Sequence, residues 1–237
     1  MHRRRLLIEI LIAAVSPCVT HSAFAEGQTT WQFNNLSSIG GLSPTIEGTP
    51  TLVDSPIGKA IQFDGKTSIF LPGRPLVGAK KFSIEIIFRP EGGDFQQRWM
   101  HIAETDPATG LDANPPHTKP DPNPRFMFEL RTAEDQWYLD AYVTSKGGNK
   151  TLAFPDKLYP IDRWYAVEQT YDGKTYRSYV NGELQGEGDV GYSPQGPGHT
   201  MFGSRLNHVD YFKGSIALAR FTDRALNPDE FIKVREP

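Results

Sequence analysis

The chain has 237 residues, 25 of them Lys or Arg and 28 Asp or Glu, with a formal charge of −3 at neutral pH and 38% hydrophobic residues. Mild acidity without a basic run is a poor match for nucleic acid or an anionic membrane surface. The one cysteine, Cys18, cannot form an internal disulfide, so an apolar core has to hold the fold.

Residues 1–25 read as an export leader. Arg3, Arg4 and Arg5 make a basic start, Leu6 to Val15 is a short apolar run interrupted by Glu9, and Ala23-Phe24-Ala25 is a small-x-small cleavage pattern. The apolar run falls short of the roughly 20 residues that span a bilayer, so no membrane insertion of the mature chain is expected. Cleavage after Ala25 removes 25 of the 237 residues, Cys18 among them, and leaves 212. The expected location is secreted or periplasmic, and residues 26–237 are expected to form one domain.

Downstream the pattern is that of strands. Ile61 to Leu71 alternates around Asp64-Gly65 and reads as a hairpin. Phe82, Ile84, Ile86 and Phe88 share one face of the next run, which Pro90 stops. The segment Glu104 to Pro124 holds six prolines with several Asp and Asn and no apolar period, as expected of a functional or mobile loop. Arg125 to Arg131 and Trp137 to Val143 alternate again and are expected to pair across the polar stretch Thr132 to Gln136. Trp164 to Leu184 is a meander of three strands stitched by Asp172-Gly173 and Asn181-Gly182, both suited to type I′ turns. Ser215 to Thr222 is the last strand. Asn227-Pro228-Asp229-Glu230 then predicts a short helix, with Asn as cap and Pro in the first turn, ending near Arg235.

These residues resemble a known family. Trp31-x-Phe33, Gly58-Lys-Ala-Ile-Gln-Phe-Asp-Gly65, Phe82-Ser-Ile-Glu85, Trp164-Tyr-x-Val167, Tyr171-Asp-Gly173, Tyr179-Val-Asn-Gly182, Phe212-Lys-Gly-Ser-Ile216 and Leu226-x-x-x-Glu230 fall in the order of LamG-like (laminin G type) domains of the concanavalin A-like lectin/glucanase superfamily. The resemblance implies an all-β fold, a two-sheet antiparallel jelly-roll β-sandwich with a short C-terminal helix. It departs at Ile216-Ala217-Leu218-Ala219, where the family usually carries acids that a calcium site or a polar contact would use. The superfamily spans glycan-binding modules, glycosidases, lyases and protein-binding domains, so function has to come from a site.

Pleat parity supplies the candidates. If the apolar sets face inward, one outer face carries Glu85, His101, Glu129, Arg131, Tyr138 and Tyr142, with Glu168 and an exposed Trp99 beside them. The resemblance implies sugar binding on a concave sheet, where carboxylates and Arg bond hydroxyls and aromatics stack on rings. The expected partner is therefore a poly- or oligosaccharide, with the 104–124 loop as wall or lid. The first alternative is a polysaccharide lyase or glycoside hydrolase in the same groove, and a lyase would use His101 and Tyr142 for proton transfer and Arg131 against a uronate carboxylate. A protein-interaction domain is the second alternative. Asp106, Asp112, Asn114, Asp121 and Asn123 offer oxygens to a structural Ca2+, at spacings that match no EF-hand-like pattern.

Overall fold

The protein, here a computed structural model, is described over residues 27–112 and 123–234. The leader, Asn114, Asp121 and Arg235 lie outside the described residues. In chain order the strands are β1 (Gln28–Gln32), β2 (Thr45–Glu47), β3 (Thr51–Ser55), β4 (Gly58–Asp64), β5 (Ser68–Leu71), β6 (Phe82–Pro90), β7 (Gln96–Glu104) and β8 (Arg125–Ala133). There follow β9 (Gln136–Ser145), β10 (Gly148–Ala153), β11 (Tyr159–Pro160), β12 (Tyr165–Tyr171), β13 (Thr175–Val180), β14 (Glu183–Asp189), β15 (Gly198–Phe202) and β16 (Lys213–Thr222).

They form two antiparallel sheets. The first runs β14-β13-β12-β6-β16-β4-β3, with β1 joined to β16; the second runs β10-β9-β8-β7-β15-β5-β2, with β11 joined to β9. Apolar alternation makes the interface between them. Phe82, Ile84, Ile86 and Phe88 of β6 meet Phe126, Phe128 and Leu130 of β8, all fully buried. Phe88 stacks on Trp99 at 4.4 Å between ring centroids and takes Trp137 edge-on at 5.1 Å. Burial of this apolar surface, with no disulfide to help, is the main source of stability. Among the described residues no helix is long and apolar enough to cross a membrane.

Turn chemistry sorts the three Gly-containing corners. Asn181 (φ 52°) and Gly182 (φ 78°) both take positive φ, as a type I′ hairpin between β13 and β14 requires. At Asp172-Gly173 only Gly173 does, at φ 102°. There the loop is three residues long, and Asp172 Oδ1 accepts the N–H groups of Lys174 and Thr175, each at 2.9 Å. Those bonds and Arg177 hold the Asp172 carboxyl down at about 2. The expected hairpin at Asp64-Gly65 is not one: β4 belongs to the first sheet and β5 to the second. Asp64 Oδ1 instead accepts the Lys66 N–H at 2.9 Å and the Thr67 hydroxyl at 2.8 Å, turning the chain across the sandwich.

The helix after Thr222 is a single 3-10 turn, Pro228–Glu230. The Asn227 side chain makes no cap bond, and the turn is closed instead by the Asn227 N–H donating to Glu230 Oε2 at 2.9 Å. Phe231 then turns extended (φ −68°, ψ 151°) and packs edge-on against Tyr179 at 5.0 Å. The Ile232 N–H donates to Glu85 Oε1 at 2.8 Å. The segment gains more by lying flat on the outer face of the first sheet than by continuing a helix.

Candidate binding face of the second sheet

One irregularity decides which side chains reach the outer face. In the β7–β8 register Arg98 faces Glu129 and Met100 faces Phe128, so Trp99 is the extra residue of a β-bulge. Trp99 and Met100 both enter the core, and Arg98 and His101 both leave it. Strict alternation would pair Trp99 with His101 on the surface. The bulge overturns that expectation, and Trp99 is a buried core ring rather than a stacking platform.

On β8 and β9 alternation is unbroken. Glu129 faces Asp140, Arg131 faces Tyr138 and Met127 faces Tyr142, while His101 of β7 faces Met127 on the other side. His101, Glu129, Arg131, Tyr138 and Tyr142 therefore share one outer face. Glu85 and Glu168 do not join them. Gly92 (φ 82°) and Gly93 (φ 101°) carry the chain across the sandwich after β6, and the two acids face each other on β6 and β12 of the first sheet. There Glu85 takes two bonds from Arg220, at 2.5 and 2.7 Å, and the C-terminal segment lies over it. Glu168 is fully buried; its Oε2 accepts the Gly182 N–H at 3.4 Å and its Oε1 has no partner. Burial, with the charge of Glu85 adding to it, pushes its carboxyl up to about 8.

The shared face is built on an ion-pair chain. Arg98 bridges Glu129 and Asp210, each at 3.0 Å, and Arg131 bridges Glu129 at 3.0 Å and Asp140 at 2.8 Å. Burial raises the carboxyls of Glu129 and Asp140 and lowers the Arg98 guanidinium, and the opposite charges work against each of those shifts. A buried network of this kind fixes geometry more than it adds stability. Glu129 is sealed beneath it, whereas Arg131 keeps 13% of its side chain exposed and Tyr138 and Tyr142 are half-buried. The Arg125 guanidinium lies 5.1 Å from the Tyr142 ring centre.

His101 is fully buried between the strands bearing Met127 and Met201. The Leu206 N–H donates to its Nδ1 at 3.0 Å, which places the proton of the neutral ring on Nε2. Burial first, then the charges of Arg205, Arg125, Arg98 and Arg74, hold the imidazole far below its ordinary range of protonation. Its Nε2 has no hydrogen-bond partner, nor has the Oδ1 of buried Asn207. Each such atom costs about 1–3 kcal/mol when left unpaired. With one nitrogen accepting and the other protonated, the ring has no lone pair for a substrate proton.

Asp140 lies with Tyr138 and Tyr142 as alternation requires, and Arg98, Arg205, Asn207 and Asp210 complete this face beyond the residues expected of it. Arg98 is hidden by the bulge. Residues 205–210 come from the β15–β16 connection, which no local pattern ties to β7. The stem of the Pro-rich loop sits at one end of the face. Asp112 Oδ2 pairs with His199 Nδ1 at 2.7 Å, and its Oδ1 accepts the Thr105 hydroxyl. Asn123 Nδ2 donates to the carbonyls of Glu104 at 3.0 Å and Leu111 at 2.6 Å. Asp106 accepts from the Ala108 N–H and the Thr109 hydroxyl. Among the described residues no group of three or more His, Cys, Asp and Glu gathers as a metal site would need.

Known structures share this architecture. Domain 4 of AbnA, an extracellular GH43 arabinanase from Geobacillus stearothermophilus solved with arabinotriose, aligns with a TM-score of 0.59 at 20% identity, over 85% of this chain and 94% of that one. The CBM40 of the Ruminococcus gnavus IT-sialidase aligns with a TM-score of 0.56 at 19% identity, over 73% of this chain and 94% of that one. The binding domain of botulinum neurotoxin DC, solved with SialylT, gives 0.54 at 11% identity, over 86% of this chain and 49% of that one. At these identities the likeness is one of fold. No curated protein sequence matches the chain. A family model, Laminin_G_3, described as the concanavalin A-like lectin/glucanases superfamily, matches residues 63–231. That match spans most of the sequence, and the chain belongs to this family.

Proposed function

We propose that the protein is an exported carbohydrate-binding β-sandwich that holds a glycan of the cell envelope or extracellular space across the outer face of its second sheet. The observation that carries this reading is the pair of half-buried tyrosines, Tyr138 and Tyr142, flanking the Arg131–Asp140 pair at 2.8 Å. Four residues apart on one strand, the two side chains leave the backbone about 13 Å from each other, on the same side. Aromatic faces with a charged hydrogen-bonding group between them suit pyranose rings and their hydroxyls. Three neighbours in fold are sugar-binding modules or were solved with sugar ligands, which agrees with this use of the scaffold.

Binding accounts for the geometry better than catalysis does. A lyase base must accept a proton, and neither nitrogen of His101 is free to do so. The two carboxylates nearest the tyrosines, Glu129 and Asp140, are both tied to Arg131. Export through the leader would place the domain where envelope and secreted polysaccharides occur.

A glycan array with the mature protein tests the reading. Tyr138→Ala and Tyr142→Ala should each weaken retention by about 1–2 kcal/mol, near tenfold, while the thermal melt stays close to that of the parent. Retention unchanged in both variants removes this face as the site. Binding to proteins but to no glycan would favour an interaction domain.

A further inference from the structure

We infer that the outer face of the second sheet carries a second sugar subsite toward its opposite edge, where Phe70 and His199 take another stretch of the same glycan, so that the protein selects a long polysaccharide over a short or terminal sugar. This rests on the glycan-binding reading and adds a ligand length to it.

Strand register puts the two ends of the face in one row. Tyr142 of β9 faces Met127, Met127 faces His101, His101 faces Met201 of β15, and Met201 faces Phe70 of β5. Ile69, Leu71 and Phe202 point into the core, so Phe70, Met201 and His199 point out with the tyrosines. Phe70 is half-buried. Four strand spacings separate its backbone from that of Tyr142, about 19 Å. The middle of the row is closed: Met127, His101 and Met201 are buried, and the Leu206 N–H of the 205–210 turn sits on His101 Nδ1. The face is therefore open at two ends, with a turn standing between them.

The far end has its own ring and its own oriented polar groups. His199 lies 5.1 Å from Phe70 between ring centroids, tilted by 39°. Asp112 Oδ2 holds its Nδ1 at 2.7 Å, which fixes the ring and leaves Nε2 as the accepting nitrogen of the neutral imidazole. Among the described residues nothing bonds that Nε2, and 34% of the side chain is open to solvent. In the other direction along β5, Ser68 faces Glu47. Glu47 Oε2 takes the Ser68 hydroxyl, the His208 Nδ1–H and the Tyr211 hydroxyl, each at 2.9 Å. An aromatic ring flanked by oriented hydrogen-bonding groups suits a sugar ring here as it does at Tyr138 and Tyr142. The turn is tied to both ends, by Arg98–Asp210 on one side and Glu47–His208 on the other. A ligand long enough to touch both ends gains from effective concentration, and a short one does not.

The test is calorimetry of the mature protein with xylo-, arabino-, manno-, chito- and galacturono-oligosaccharides, each as disaccharide and hexasaccharide. For at least one sugar the hexasaccharide should bind about tenfold or more tighter than the disaccharide. Phe70→Ala should bring that ratio to within about threefold, and His199→Ala should lower it. Phe70→Trp, which keeps an aromatic face, should hold the ratio near that of the parent, with circular dichroism melts to confirm that the variants fold. In spectra of the parent, the Phe70 ring and His199 imidazole signals should shift as the hexasaccharide is added. A hexasaccharide that binds no tighter than its disaccharide, a ratio untouched by Phe70→Ala, or hexasaccharide binding without those shifts overturns the second subsite and leaves glycan binding standing. No binding by any probe overturns both readings.

Discussion

Glu168 should make this protein less stable as pH rises, and Glu168→Gln should remove the effect. In the folded chain burial keeps the carboxyl protonated to about pH 8; exposed by unfolding, it ionises near its ordinary 4.5. Below 4.5 both states hold the proton and stability is complete. Between the two values the unfolded chain sheds a proton that the folded chain keeps, so stability falls by about 1.4 kcal/mol per pH unit. The loss reaches about 5 kcal/mol by pH 8 and then levels off, because both states are ionised. Glutamine cannot ionise, and its carbonyl can still accept the Gly182 N–H. Urea unfolding followed by tryptophan fluorescence should find parent and variant within about 1 kcal/mol of each other at pH 4. At pH 9 the variant should be ahead by several kcal/mol, equivalent to about 10–20 °C in melting temperature for a chain of this size. A gap that is the same at pH 4 and pH 9 would refute the reasoning, because it would mean that packing rather than ionisation separates the two proteins.

Trp99→Ala should cost about 3–5 kcal/mol by emptying the stack against Phe88 and should leave glycan retention alone at temperatures where the protein is folded; lost retention by a folded variant would put the ring back on the binding face. Arg131→Ala leaves Glu129 and Asp140 each one partner short beneath the sheet surface and should destabilise by about 3–5 kcal/mol in denaturant melts. A loss under 1 kcal/mol would mean that water already compensates those acids. Gly203→Ala should cost about 2 kcal/mol or more, because φ is +83° and the new methyl carbon would sit 2.6 Å from the Thr67 carbonyl oxygen. A neutral substitution there would show that the connection into residues 205–210 shifts freely.

The strands were legible because alternation is local. Phe82 to Phe88, Phe126 to Leu130 and the meander from Trp164 onward all carry their inward face in plain sequence, and parity was enough to put Glu129, Arg131, Tyr138 and Tyr142 together. Sheet membership is not local. Nothing in Asp64-Gly65 distinguishes a turn that closes a hairpin from one that hands the chain across the sandwich, and nothing around Gly92-Gly93 says that β6 and β7 part company. The acids Glu85 and Glu168 were misplaced with His101 for that reason. The bulge at Trp99 is a second kind of silence: one added residue reverses parity for half a strand, burying a Trp and turning an Arg to the outer face. The turn at 205–210 is a third, since its residues reach His101 across 105 positions of sequence.

Both ends of the described chain lie against the first sheet, β1 alongside β16 and the segment after Leu226 across the outer surface of β6. The tyrosine-bearing surface looks the opposite way. A neighbouring group fixed directly at Gly27 or Val234 would therefore sit against the first sheet, away from the face proposed to hold the glycan.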